Sequence, residues 1–186
     1  MDAFSYLSVL ISIVIGLAIT QVLQGYRSLL VCRRRVRFFG PTLAWGGLVL
    51  VIAVQSWWAM FGMRLHAPWT FLQFAIVLLQ TILLYLLAAL VFPDVGSEHE
   101  VDLKEHYFGQ VRWFFGFGMA LLIVSVGKDL VVTGLWPGPT NLAFHAVFFS
   151  TWTIAGFTRH EGYHRLLSWL MAAGFGLYIL VLFSRL

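Results

Sequence analysis

The sequence predicts an all-α integral membrane protein with six transmembrane helices. Its 186 residues are 60% hydrophobic and 17% aromatic but only 11% charged, against about 45–50% apolar and about 25% charged in a soluble globular chain. Mean hydropathy is +0.86. The apolar residues also fall in runs long enough for a hydrocarbon core of ~30 Å, which takes ~20 residues of helix. That composition excludes a disordered tail and a water-soluble domain. The single Cys32 cannot pair within the chain, which excludes a disulfide-framed secreted domain. The basic balance comes from clustered arginines rather than a broad basic face, so no nucleic-acid partner is expected.

The six runs are bounded by turn and charge signals. The first, 3–31, stops at Arg33, Arg34, Arg35 and Arg37. The second, 41–63, opens on Pro41, a residue suited to the first helical turn because its missing N–H is an orphan donor there. Pro68 opens the third in the same way, and Pro93-Asp94 closes it near residue 92. A polar loop precedes the fourth, 107–134, and Pro137-Gly138-Pro139 breaks the chain after it. The fifth covers 141–158 and the sixth 163–183, within one domain over 1–186. Asp2 before the first run and basic residues after it are the reverse of a cleavable signal peptide.

Orientation follows from the Lys and Arg residues. Alternating spans put loops 1–2, 3–4 and 5–6 on one face, with Arg27, Arg33, Arg34, Arg35, Arg37, Lys104, Arg112, Arg159 and Arg165. Arg64, Lys128 and Arg185 are on the other. The expected topology is an inner-membrane protein with both termini outside and the arginine cluster cytoplasmic. Arg33, Arg34, Arg35 and Arg37 are then headgroup contacts, and the bilayer with its anionic lipids is the expected partner.

Within lipid, small residues at four-residue spacing mark close helix contacts. Helix 1 carries Ser5, Ser8, Ser12, Gly16, Thr20 and Gln24; helix 4 Gly109, Gly116, Ala120 and Gly127; helix 6 Ser168, Ala172 and Gly176. These faces are expected to pack on one another or on a second copy in a homo-oligomer. Amides and titratable groups inside the spans need partners and are candidates for a polar pathway. In the outer half these are Gln55, Gln73, Gln80, Asp129 and His145; toward the cytoplasm they are Thr20, Gln21, Gln24 and Tyr85. Lys128 can snorkel to water while its neighbour Asp129 turns into the bundle, since adjacent helical residues do not face each other.

The sharpest motif is His160-Glu161-Gly162-Tyr163-His164, which fits H-E-x-x-H. On a helix its two histidines share a face and could hold Zn²⁺, with the glutamate activating a bound water. A further ligand would come from Asp102 or His106. The plainer account is a solvated polar turn near headgroups, with no cofactor. Other enzyme classes lack their fingerprints: one cysteine excludes a dithiol oxidase, and no G-x-S-x-G, P-loop or dinucleotide motif is present.

Pro41-Thr42-Leu43-Ala44-Trp45 is echoed by Pro139-Thr140-Asn141-Leu142-Ala143-Phe144, and Leu84-Tyr85-Leu86-Leu87 by Leu177-Tyr178-Ile179-Leu180. Both matches suit a 3+3 inverted repeat. The stretches FSYLSVLISIVIGLAIT (4–20), VQSWWA (54–59), YLLAALVFPD (85–94), DLKEHYF (102–108) and GKDLVV (127–132) resemble a group of small bacterial six-helix membrane proteins. The resemblance implies a bacterial inner-membrane protein and transfers no activity and no site residue. Polar groups on several spans without a catalytic fingerprint make a small ion or solute channel or transporter the leading expectation. The alternatives are a non-catalytic membrane scaffold or partner subunit, and a zinc-dependent hydrolase at 160–164.

Overall fold

A computed structural model describes residues 3–65, 68–94 and 100–182. His66, His99 and Arg185, and the end of the sixth predicted span, lie outside the described residues. The described residues are 86% helical, with six α-helices among them: α1 (Ala3–Val31), α2 (Gly40–Met60), α3 (Phe71–Val91), α4 (Leu103–Thr133), α5 (Pro139–Phe157) and α6 (Glu161–Leu182). Five are long and apolar enough to cross a membrane. The exception is α5, whose 19 residues include Asn141, His145, Ser150, Thr151 and Thr153. Its hydroxyls are satisfied within the helix, Ser150 Oγ donating to the Ala146 carbonyl at 2.7 Å and Thr153 Oγ1 to that of Phe149 at 2.8 Å.

Local chemistry moves several predicted bounds. Pro41 and Pro139 stand in the first turns of α2 and α5 as expected. Pro68 does not start α3, because the capping box that opens two residues on, at Thr70, is the stronger signal. There Thr70 Oγ1 accepts the Gln73 N–H at 3.3 Å and Gln73 Oε1 accepts the Thr70 N–H at 2.9 Å. Helix α4 begins at Leu103 rather than 107 because Asp102 Oδ1 accepts the N–H groups of Lys104 and Glu105 at 2.8 and 3.2 Å. It ends where Gly134 takes φ 71°, a left-handed conformation open to glycine, and donates its N–H to Leu130.

The helices form a closed ring in the order α1, α3, α4, α5, α6, α2, with α2 also touching α3 and α4. The expected packing of the three small-residue faces on one another is not seen among the described residues: α1 makes no principal contact with α4 or α6, α4 meets α6 at the basic end through Tyr107 and His164, and a Cβ at Gly16, Gly109, Gly116 or Gly176 would meet nothing within 4 Å. Helix α1 buries Ile11, Ile15, Ala18, Val22 and Leu29 against its neighbours, while Gly16, Thr20 and Gln24 face outward. Helices α1 and α3 lie along each other, whereas their counterparts α4 and α6 meet mainly through side chains at the basic end. Close approach instead occurs at glycines receiving aromatic rings. A Cβ on Gly118 would meet the Trp152 ring, and one on Gly25 or Gly46 the Phe92 ring.

One end of the ring, called the basic end below, is tied by three loops. Val36–Arg37 and Val101–Asp102 form a short parallel ladder, and Thr42 Oγ1 donates to the Leu103 carbonyl at 3.3 Å. Lys104 reaches Glu161 at 2.5 Å. The loops that the arginine count groups on one face thus lie together.

Candidate functional site

At the far end, two adjoining cavities open among α2, α3, α4, α5 and α6, the outer the larger of the two. They share Gln55, Ser56, Gln80, Ser125 and Tyr178. The outer one adds Lys128, Asp129, Thr133 and Asn141. His145 is in the inner one, with an apolar and aromatic wall of Leu121, Phe148, Trp152, Met171 and Phe175. Four predicted pathway residues, Gln55, Gln80, Asp129 and His145, are brought together by helices far apart in sequence.

Each polar group has a definable state. Lys128 Nζ and Asp129 Oδ1 are 3.4 Å apart, with side chains 16% and 32% exposed. His145 Nδ1 lies 2.9 Å from the Asn141 carbonyl. A carbonyl only accepts, so Nδ1 carries the proton and the neutral ring offers Nε2 as an acceptor. Asn141 Oδ1 is buried without a hydrogen-bond partner. Tyr178 stands edge-on to His145 at 6.2 Å between ring centres and stacks on Phe175 at 5.5 Å.

The inner wall continues as an aromatic plug toward the basic end. Trp152 Nε1 donates to the Met171 sulfur at 3.3 Å, and its ring packs edge-on against Trp45 at 5.5 Å and Phe115 at 6.0 Å. Trp45 and Phe115 are fully buried. Below them Phe115 contacts His164 at 5.9 Å, and His164 accepts the Tyr107 hydroxyl proton at Nδ1, 2.8 Å away. The direction follows from His164 Nε2, which is 3.0 Å from the Thr158 carbonyl and must donate to it.

The remaining predicted residues are placed elsewhere. Gln73 closes the capping box and its amide nitrogen donates to the Val131 carbonyl at 3.3 Å, clamping α3 to α4. Gln21 and Gln24 line a separate cavity between α1 and α3 with Ser28 and Asp94. Thr20 returns its hydroxyl to the Gly16 carbonyl at 2.8 Å, and Tyr85 packs against the apolar core. Arg33, Arg34, Arg35 and Arg37 are exposed at the basic end, where Arg37 is 3.8 Å from Glu100.

The four zinc-ligand candidates are not gathered into a ligand set. His164 has both ring nitrogens on protein partners. His160 precedes α6, and its Nδ1 accepts the Tyr163 N–H at 3.3 Å. His106 Nε2 donates to the Leu90 carbonyl at 3.1 Å, and Asp102 caps α4. Glu161, the expected general base, pairs with Lys104 and with Arg165 at 2.6 Å. Among the described residues no group of three or more His, Cys, Asp or Glu side chains is disposed to hold a metal.

Sequence reasoning missed Tyr178 and Asn141 as vestibule residues and Trp45 and Tyr107 as partners in the column above His164, which it read only as a metal ligand. Aromatic residues are so common in this chain that Trp45, Tyr107 and Tyr178 carry no signal by position. The chain matches no protein-family model, and no curated protein or solved structure is similar to it.

Proposed function

We propose that the chain is a six-span inner-membrane protein that binds a small solute in the far-end cavities and serves as its carrier rather than as an open pore. The carrying observation is the juxtaposition of a polar-mouthed vestibule with an unbroken aromatic plug beneath it. A pore needs a wet path through the bundle, whereas Trp152, Trp45 and Phe115 pack ring against ring beneath the vestibule. A carrier resting in one-sided access has this arrangement.

Aromatic girdles support the six spans. Exposed Trp57, Trp58 and Trp136 are near the far end, and exposed Trp113 and Trp169 lie toward the basic end. Tryptophan favours the headgroup level. At 1.5 Å per residue, Trp113 to Thr133 on α4 spans ~30 Å, close to the hydrocarbon thickness. Helix α5 crosses with the others because its polar residues face the vestibule or are bonded to its own carbonyls. The first turns of α4 and α6, with Tyr107 and His164, then stand at the basic interface. The positive-inside rule makes that end cytoplasmic, so the vestibule opens outside.

Accessibility tests this reading. Ser125→Cys in a Cys32→Ser background should be labelled by a membrane-impermeant thiol reagent in right-side-out vesicles and protected in inverted ones. Labelling from the basic side alone, or from neither side, overturns it.

A further inference from the structure

The vestibule changes chemistry along its length, and on the reading that it binds a solute this change identifies the ligand class. Its inner part is walled by Phe148, Trp152, Met171 and Phe175. Its outer part holds the Lys128–Asp129 pair, whose charges sum to zero. Moving a net charge into such a space is costly unless it is matched. A lone cation meets an Asp129 already offset by Lys128, and a lone anion meets a Lys128 already offset by Asp129. A zwitterion keeps the total at zero and gives each wall charge a second counter-ion. The capacity is present: an ammonium has three donors and a carboxylate two acceptor oxygens, and the contact between Lys128 and Asp129 engages one carboxylate oxygen.

We infer that the vestibule takes a zwitterion bearing an apolar group. Its ammonium sits on Asp129, its anionic group on Lys128, and its apolar group against the inner aromatic wall. An apolar α-amino acid is the simplest molecule that carries this pair of charges beside an apolar group. Phosphatidylethanolamine headgroups carry the same two charges and are the second source of this chemistry.

The test is titration calorimetry on the full chain in maltoside detergent. The probes are L-phenylalanine, 2-phenylethylamine, 3-phenylpropanoate, 3-phenylpropanamide and a short-chain phosphatidylethanolamine. L-phenylalanine should bind at least tenfold more tightly than the amine, the acid or the amide. Lys128→Gln and Asp129→Asn should each weaken it at least tenfold, with helical circular dichroism and elution volume unchanged. Tight binding of the phosphatidylethanolamine alone, with the same loss in both variants, supports the zwitterion and assigns its source to lipid. Equal or tighter binding of the amine, the acid or the amide, or no binding of any probe, overturns the inference. The vestibule reading stands or falls separately, on Ser125→Cys labelling, which needs no ligand. If both variants lose helicity, the five-probe ranking on the unsubstituted chain still decides.

Discussion

Tyr107 and His164, on α4 and α6 and 57 residues apart in sequence, meet at 2.8 Å between the hydroxyl and Nδ1. His164 is fully buried and Tyr107 7% exposed, so this hydrogen bond has no water to replace it. Tyr107→Phe leaves Nδ1 buried without a donor, which costs about 1–3 kcal/mol. The variant should unfold at lower temperature in detergent while keeping its helical content. A double-mutant cycle with His164→Ala should return a coupling of about 0.5–3 kcal/mol, as for residues in direct contact. Additive effects would mean that the pair does not act as a unit.

Gly118 and Gly116 provide a matched comparison on one helix. A Cβ on Gly118 would lie 1.9 Å from the Trp152 ring, whereas one on Gly116 meets nothing within 4 Å. Gly118→Ala should destabilise by about 1–3 kcal/mol, the usual range for overpacking. Gly116→Ala should be neutral or stabilising by up to about 1 kcal/mol through helix propensity. Thermal unfolding of both variants in one detergent reads the difference, and the reverse order would refute the ring packing.

The roles of Gln73 and Gln80 should separate. Gln73→Leu removes the capping box and the bond to Val131, lowering stability by about 1 kcal/mol. It should leave labelling at Ser125→Cys unchanged. Gln80→Leu alters the vestibule wall and should slow that labelling. The pair of rates decides between a structural and a lining role for each amide.

Asp129→Asn leaves Lys128 without its partner at the vestibule mouth. In proteoliposomes, uptake of the solute should fall at least tenfold. Glu161→Gln loses the contacts to Lys104 and Arg165 at the opposite end. Uptake should survive that change, with only a slight loss of stability that added salt removes, as for exposed ion pairs. If Glu161→Gln abolished uptake and Asp129→Asn did not, the site would have to be moved to the basic end.

The sequence by itself determined the membrane-compatible apolarity of the helices, their number among the described residues and which loops share an end. Length and apolarity set the first two, and the placement of nine of twelve cations implied the third. Helix bounds were legible to within a few residues because caps are local: Thr70, Asp102 and Gly134 act on backbone groups two to four residues away. Helix faces were not legible. Lipid is as apolar as leucine, so no periodic pattern has to mark the inward side, and α2 and α4 have almost no amphipathic bias. The small-residue stripes therefore pointed to contacts that the ring order does not make. His164 shows the same division. Its spacing from His160 suggested a metal ligand, but only tertiary packing brought Tyr107 and Thr158 to its two nitrogens. Likewise Gln55, Gln80, Asp129 and His145 were visible one by one. Their convergence depended on five helices closing around one space, a relation between residues far apart in the chain that no local pattern encodes.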